Sequence, residues 1–344
     1  MIKIGINGFG RIGRAFTRIN LRHKKFEIVA VNDIDEDIHN HAYLLKYDTT
    51  YGKLFNDKVD VNDDDDAIAV NGQHMKVFRE REIKKVPWAS LGVDIVIEAS
   101  GVLQNVLQAS EVVGGSVKKV VVTHAPKEGV DFSYMYGVNS EEYDKDRHHV
   151  VSSSICDANA LAPFYMLIEK EFGIELGEVT TLHPWLSYQN LLDGTLKSVS
   201  SPGHIWRDYA LGRSSVGSLI PKETTLCSAM NNVLPESSEK LHAASFRTPT
   251  SIVSSIDGVF LLEKETGKEE IVRALEAYTK TYPGVLKLDG RSLISIDYLG
   301  NENAAVVDMR WLHLNKGRML KFVLWYDNEW GYTSRVYEIA KRLI

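Results

Sequence analysis

Apolar and polar residues alternate differently in the two halves of the chain. In the first half, short apolar runs are separated by stretches whose apolar residues recur at helical spacing. IKIGI is followed by GFGRIG, by RAFTRINLRH with one apolar face, and by a second run, FEIVAVND. Similar runs are VDIVIEAS (93–100), KKVVVTH (118–124) and HHVVSSS (148–154). Strands that alternate with helices predict an α/β domain over residues 1–155, with a parallel sheet covered by helices on both faces.

The pattern changes at residue 156. A helical stretch, DANALAPFYMLIEKEFG, precedes β-rich segments such as GEVTTLH, AASFRTPTSIVSSIDGVFLLE and NAAVVDMRWLHLNKGRMLKFVLWYD. This mixture predicts an α+β domain with an antiparallel sheet over residues 156–320. RVYEIAKRLI is typical of a closing helix, and we expect a C-terminal helical segment, 321–344, to complete the first domain.

Composition narrows the possible partners. The 344 residues are enough for two domains, and no apolar stretch approaches the roughly 20 residues that span a bilayer, so we expect no membrane partner. A net charge of -6 and a pI near 6.0 give no basic field for nucleic acid. Two cysteines are too few for a disulfide framework, and MIKIGINGFG is typical of a strand, not a signal peptide. These features predict a cytoplasmic protein with small ligands.

No metal site is predicted. The acidic tetrad in VNDDDDAI lacks the glycine and the following glutamate of a calcium loop, so a solvated turn is the expected structure. His148 and His149 have no other metal-ligating residues near them in the sequence.

The glycine-rich segment indicates a dinucleotide site. Gly8, Gly10 and Gly13 have G-x-G-x-x-G spacing between a predicted strand and helix, and Asp33 follows at the end of the second strand. The first glycine permits a tight turn, the second allows close approach of a pyrophosphate, and the third allows close helix packing. Asp33 suits a ribose 2′-hydroxyl and repels a 2′-phosphate. The pattern therefore predicts a Rossmann-type domain that binds NAD in preference to NADP.

Cys156 is the candidate nucleophile. It lies in SSSICDANALAP, after a predicted strand and at the start of a predicted helix, where unpaired backbone N–H groups favour a thiolate. A buried structural cysteine is an equally good explanation of this local pattern. His183 in VTTLHPW favours a catalytic role for Cys156, because an imidazole that the fold brings close to the thiol can serve as base and acid.

A set of further segments extends along nearly the whole chain. They are INGFGRIGR, VNDIDED, LLKYDTTYGKL, IEASGV, GVNSEEYD, SSSICDANALAP, TTLHPW, WRDYALGR, SFRTPT and LWYDNEWGYTSRV. Together these segments resemble the glyceraldehyde-3-phosphate dehydrogenase family.

The resemblance implies an NAD-dependent aldehyde dehydrogenase that is a homotetramer and acts through a thiohemiacetal and a thioester on Cys156, with His183 as base. It implies a small, anionic aldehyde substrate. The expected cofactor-binding residues are Gly8, Gly10, Arg11, Ile12, Gly13, Asp33, Ser100, Thr123 and Asn328, with Asn328 at the nicotinamide carboxamide. The expected substrate residues are Arg247, Thr224 and Arg207.

The chain departs from the family around the thiol. Small hydroxyl residues that help hold inorganic phosphate are usual there, whereas this chain has Ile155, Asp157 and Ala158. A carboxylate close to a phosphate dianion costs several kcal/mol at an effective dielectric constant near 20, more than one or two hydrogen bonds return. We therefore expect phosphate to be a poor acyl acceptor, with water or another acceptor in its place.

The substrate loops depart as well. Leu186 and Tyr188 occupy places where a threonine and an acid are usual, and Glu223 replaces a small hydroxyl residue beside the matching Thr224. The remaining cationic candidates are Arg213, His204 and Lys222. Two alternatives therefore stay open: the same chemistry on a different aldehyde, and a non-catalytic NAD-binding protein with Cys156 as a redox sensor.

Overall fold

The computed structural model describes residues 1–195 and 208–344 in two compact units. The first unit is Met1–Ile155 with Thr333–Ile344, and the second is Cys156–Tyr332. Each unit is built on one sheet. Within the described ranges, no helix has both the length and the apolar character needed to cross a bilayer.

The first unit has α/β architecture. Its strands are β1 Ile2–Asn7, β2 Phe26–Asn32, β3 Val59–Asn62, β4 Ala67–Val70, β5 Gln73–Phe78, β6 Ile95–Glu98, β7 Lys119–Val122, β8 Phe132–Ser133 and β9 Val150–Ser152. Its helices are α1 Arg11–His23, α2 Ile38–Lys46, α3 Leu103–Leu107 and α4 Ala109–Val112. The sheet order is β3-β4-β5-β2-β1-β6-β7-β9-β8, parallel from β5 to β8.

This sheet agrees with the predicted Rossmann-type fold. All residues of β6 and β7 are buried, as expected for strands covered on both faces. The antiparallel hairpins that join β3, β4 and β5 at one edge were not predicted, because each strand is too short to give a clear alternating pattern. The acidic tetrad is the exposed turn between β3 and β4.

The second unit has the predicted α+β architecture. Its strands are β10 Ile174–Pro184, β11 Ile220–Lys222, β12 Leu241–Thr248, β13 Ser254–Leu262, β14 Leu286–Asp289, β15 Ala305–Asp308, β16 His313–Asn315 and β17 Met319–Tyr326. Its helices are α5 Cys156–Phe172, α6 Leu226–Asn231 and α7 Lys268–Thr281, and α8 Trp330–Ala340 begins in it. The sheet order is β11-β12-β10-β13-β17-β15-β14, with β16 beside β17. Most pairs are antiparallel, whereas β10–β12 and β14–β15 are parallel.

The predicted domain boundary, which gave a C-terminal helical segment over 321–344, is wrong at its start, whereas the β-rich pattern of NAAVVDMRWLHLNKGRMLKFVLWYD agrees with β15, β16 and β17. Residues 319–326 form β17, whose side chains alternate between buried and less buried positions, the two-residue period of a strand. The helix begins only at Trp330, after Asp327 accepts hydrogen bonds from the backbone N–H of Glu329 and Trp330. The second unit therefore extends to Tyr332, beyond the predicted boundary at residue 320.

The end of α8 packs within the first unit. The Tyr337 hydroxyl lies 2.9 Å from Asn20 Oδ1, and its ring lies edge-on to Phe26 with centroids 4.8 Å apart. Tyr337 is almost fully buried, so this contact removes a large aromatic side chain from water.

Candidate active site

Strand pairing in the second unit gathers the polar side chains of the site. The parallel register of β10 and β12 sets His183 beside Arg247, and the antiparallel register of β13 and β17 sets Ser254 beside Tyr326. Helix α5 begins at Cys156, as its sequence pattern predicts. Cys156 lies next to His183, so these two candidates, 27 residues apart in the chain, are neighbours in space.

The geometry of His183 fixes which of its nitrogens can act as a base. Its Nε2 lies 3.7 Å from Cys156 Sγ, and its Nδ1 lies 2.8 Å from the Pro184 carbonyl oxygen. A carbonyl oxygen only accepts, so Nδ1 carries the proton and the lone pair is on Nε2, facing the sulfur. The side chain is buried, which holds the ring in this orientation.

Asp157 also faces the sulfur. Its Oδ1 accepts hydrogen bonds from Cys156 Sγ at 3.2 Å and from the Tyr326 hydroxyl at 2.8 Å, and lies 4.0 Å from His183 Nε2. Asp157 is only 7% exposed. A buried carboxylate therefore lies beside the thiol, where the resemblance implies a small hydroxyl side chain.

The electrostatics of the site favour an uncharged Cys156 thiol and an uncharged His183 imidazole. Burial, with the Asp157 carboxylate second, raises the pKa of the Cys156 thiol well above its ordinary value. Burial lowers the pKa of His183 to about 4, although Asp157 acts to raise it. Burial and the adjacent anion thus both oppose the thiolate that the start of α5 is expected to favour.

Arg247 is a buried cation. It is 6% exposed, its Nη2 donates to the Tyr188 hydroxyl at 3.0 Å, and its Nε is buried without a hydrogen-bond partner. Among residues 1–195 and 208–344 it forms no ion pair with a carboxylate. Burial, followed by repulsion from Arg247, lowers the pKa of Lys222.

The other predicted substrate residues differ in their surroundings. Thr224 is partly buried, and its Oγ1 accepts from the backbone N–H of Leu226. Arg213 is exposed and pairs with Asp193 at 2.9 Å, and Glu223 is exposed too. Arg207 and His204 lie outside the described residues.

The first unit contains a cavity at the predicted dinucleotide site. The cavity has a volume of about 260 Å³. It is lined by Asn7, Gly8, Gly10, Asn32, Asp33, Ile34, Glu80, Arg81, Ala99, Ser100, Val102 and Asn105. Four predicted residues are in this set: Gly8, Gly10, Asp33 and Ser100.

The glycines fit a bound dinucleotide. Gly8 has φ +95°, and a Cβ there would lie 2.5 Å from Ser100 N. A Cβ on Gly13 would lie 2.4 Å from the Gly8 carbonyl oxygen, whereas a Cβ on Gly10 would meet no atom within 4 Å. The open space over Gly10 is where a pyrophosphate can approach the backbone at the start of α1.

Asp33 fits the ribose. Its Oδ2 accepts from Phe9 N at 2.7 Å and its Oδ1 from Asp35 N, and the carboxylate remains partly exposed, with lone pairs available for hydroxyl donors. NAD bound here would therefore be held by the α1 N-terminus and Asp33.

The remaining predicted cofactor residues do not line this cavity. The Arg11 side chain pairs with Asp48, so only backbone N–H groups of Arg11 and Ile12 can serve a ligand at the helix start. Thr123 donates its hydroxyl to the Glu98 carbonyl oxygen at 3.1 Å. In the second unit, Asn328 is 6% exposed and its Oδ1 is buried without a donor among the described residues, which suits a carboxamide N–H.

Sequence reasoning missed three residues. Glu98 is fully buried at the end of β6, accepts from Asn7 Nδ2, Ser100 N and Ser100 Oγ, and has its pKa raised by burial to about 7. Arg81 lies in the charged stretch REREI, and Tyr326 lies in a β-rich stretch with no local signal for a role at the thiol. An acid that directly follows an apolar strand was the one available signal for Glu98.

Comparisons with known proteins identify the family of the chain. Residues 2–106 match the family model described as glyceraldehyde 3-phosphate dehydrogenase, NAD binding domain, and residues 155–328 match its C-terminal domain. Glyceraldehyde-3-phosphate dehydrogenase 1 of Bacillus cereus is 38% identical over 341 residues, 99% of this chain and 98% of the relative. Glyceraldehyde-3-phosphate dehydrogenase 2 of Saccharomyces cerevisiae is 37% identical over 344 residues, 100% of this chain and 99% of the relative. The chain therefore belongs to the glyceraldehyde-3-phosphate dehydrogenase family and is an NAD-dependent oxidoreductase of that type.

Proposed function

We propose that the chain oxidises a small anionic aldehyde through a covalent intermediate on Cys156. The observation that carries this proposal is the 3.7 Å approach of His183 Nε2 to Cys156 Sγ, with Nδ1 held by the Pro184 carbonyl. A thiol that only senses oxidants has no need of this base, so the pair favours an enzyme over a redox sensor.

The residues can divide the reaction into balanced steps. The sulfur forms a bond to the aldehyde carbon, and the thiol proton passes through His183 Nε2 to the carbonyl oxygen, which gives a hemithioacetal. Bound NAD supplies the hydride acceptor. His183 Nε2 takes the hydroxyl proton as the hydride leaves, and a thioester on Cys156 remains. Addition of water then releases a carboxylic acid and regenerates the thiol, and His183 gives the proton that it holds to solvent.

An anionic substrate is supported by Arg247. A buried guanidinium without a carboxylate partner among the described residues is costly unless an anion binds it. Glyceraldehyde 3-phosphate, the aldehyde in the relatives' names, is the first substrate to test. A sugar-derived aldehyde without a terminal phosphate is the second.

The acyl acceptor is proposed to be water. Asp157 lies 3.2 Å from the sulfur, and a phosphate about 4 Å from this carboxylate would be repelled by about 4 kcal/mol per unit charge at a dielectric constant of 20. The helix dipole returns only about 0.3–1 kcal/mol. Asp157 is also near enough to accept a proton from a water that attacks the thioester. Glu223 is exposed, so Asp157 is the stronger candidate for this base.

A screen of aldehydes with NAD, with phosphate from zero to tens of millimolar, tests the proposal. Turnover should barely respond to phosphate, and the product should be a free acid. Cys156→Ser should abolish NADH formation and retain NAD binding, while Cys227→Ser should change neither. Saturable activation by phosphate, with an acyl phosphate as product, would contradict the proposed acceptor, and an active Cys156→Ser protein would contradict the proposed nucleophile.

We also propose a homotetramer in the cytoplasm. Leu191 and Leu192, on the segment that follows His183, are 70% and 81% exposed, and burial of such side chains favours association. Light scattering should give four times the 38.7 kDa chain mass, and Leu192→Asp should lower it. A wild-type protein that stays monomeric at tens of micromolar would refute the assembly.

A further inference from the structure

We propose that Cys156, Asp157 and His183 form a binding site for one borderline-soft divalent cation, of which zinc is the best match. Sγ, Oδ1 and Nε2 of these residues converge, with separations of 3.2 Å from sulfur to oxygen, 3.7 Å from sulfur to nitrogen and 4.0 Å from nitrogen to oxygen. Thiolate, imidazole and carboxylate are the three ligand types that zinc takes in proteins.

The separations fit a tetrahedral ion. With a zinc–sulfur distance of about 2.3 Å and zinc–nitrogen and zinc–oxygen distances of about 2.0 Å, tetrahedral ligands lie roughly 3.3–3.5 Å apart. The largest adjustment is a shortening of the 4.0 Å gap between His183 and Asp157 by roughly 0.7 Å. Small side-chain rotations can supply a change of this size.

The surroundings of the ligands also fit. A zinc-bound histidine usually donates its other ring N–H to a carbonyl or carboxylate, and a zinc-bound carboxylate usually accepts a further hydrogen bond. His183 Nδ1 already donates to the Pro184 carbonyl at 2.8 Å, and Asp157 already accepts from the Tyr326 hydroxyl at 2.8 Å. Both ligands are therefore held in orientations suited to coordination.

Asp157 is the residue that completes the site. Without it, Cys156 and His183 offer only two ligands, too few for a firmly held ion. With it, the thiolate and the carboxylate together carry two negative charges that a divalent ion neutralises. The cations Arg247 and Lys222 oppose the ion, and they act on Cys156 and Asp157 from outside the ligand set.

Binding would block turnover reversibly. The Cys156 thiol, which donates to Asp157 at rest, releases its proton to solvent, and the sulfur lone pair then binds the ion. His183 Nε2 and the Asp157 carboxylate complete three positions, and a water takes the fourth. The ion and an aldehyde need the same sulfur, so they exclude one another. The binding itself does not depend on which aldehyde or acyl acceptor the enzyme uses.

Metal titration of the full chain after chelator treatment tests this site. Zn²⁺ should bind once per chain in calorimetry, with net proton release to the buffer. Co²⁺ used as the probe should produce a sulfur-to-cobalt absorption band in the near ultraviolet. Asp157→Asn should weaken Zn²⁺ binding at least tenfold, Tyr326→Phe by less, and Cys156→Ser should abolish the cobalt band.

Two control variants test whether changes in Zn²⁺ and Co²⁺ binding are specific to this site. Cys227→Ser should bind both ions like the wild type, and Asp157→Ser repeats the test if the asparagine variant unfolds in circular dichroism. Equal Zn²⁺ affinity of wild-type and Asp157→Asn protein would overturn the proposal, as would an unchanged cobalt band in Cys156→Ser. Failure of every aldehyde assay would overturn the proposed function and leave these binding results intact.

Discussion

At the scale of single residues, burial and Asp157 together govern the charge state of the reacting pair. Burial disfavours both the thiolate and the imidazolium, so the pKa of Cys156 rises and that of His183 falls to about 4. The Asp157 carboxylate also raises the pKa of Cys156, whereas at His183 it acts against burial and raises the pKa. The shift at His183, from 6.5 to about 4, corresponds to about 3 kcal/mol against the charged ring, so burial prevails over Asp157. In the proposed mechanism, attack by the sulfur is therefore expected to be coupled to proton transfer to His183.

We expect Asp33 and Arg81 to act oppositely on cofactor choice, because they carry opposite charges and line the same cavity. We expect NAD to be preferred over NADP at least tenfold, about 1.4 kcal/mol, because the carboxylate repels a 2′-phosphate. Asp33→Asn removes the charge, keeps an acceptor for Phe9 N, and should narrow the gap. In the Asp33→Asn protein, Arg81→Ala should weaken the binding of NADP and so widen the difference in affinity between NAD and NADP again. Titration of both cofactors measures this, and equal use of the two by the wild type would be the contrary result.

At the scale of elements, the turn from β1 to α1 separates folding from ligand binding. Gly10→Ala should lower NAD affinity at least tenfold but cost less than about 1 kcal/mol of unfolding free energy, because its Cβ would project into open space. Gly13→Ala should lower both NAD affinity and the free energy of unfolding, the latter by about 1–3 kcal/mol, because its Cβ would press on the Gly8 carbonyl. Urea denaturation and NAD titration of the pair measure this, and equal stability of the two variants would be evidence against the packing argument.

Elements with a strong local pattern could be predicted from the sequence, and elements defined by their partners could not. The runs that became β1, β2, β6, β7 and β9 are short and apolar because parallel strands are buried on both faces. Helix α5 was recognisable from its length. In contrast, β17 ends shortly before α8 begins, so its β-rich pattern was recognisable but the boundary between the strand and the helix was not. The β3–β5 hairpins depend on edge pairing that short segments do not reveal.

At the scale of the whole molecule, the predictable part of the site is the part carried by motifs. Cys156, His183 and the glycines lie in recognisable local patterns. The partnership of Asp157 with Tyr326 joins residues 169 positions apart, and only the sheet register that carries Tyr326 to the site creates it. The sequence showed that Asp157 was unusual, whereas its orientation toward the sulfur needed the fold.

Glu98 should make the stability of the protein depend on pH. Its pKa is about 7 in the folded protein and ordinarily 4.5, so between these values the native state keeps a proton that the unfolded chain releases. The free energy of unfolding should therefore fall as pH rises from about 4.5 to 7, by about 3 kcal/mol in all, and this contribution should stay constant above that range. Glu98→Gln removes the titration, so urea denaturation from pH 5 to 8 should give a flatter profile. Glu128→Gln, a change at an exposed glutamate of the same unit, should keep the wild-type slope. If the Glu98→Gln and wild-type profiles run parallel, the buried carboxylate is not the source of the pH dependence.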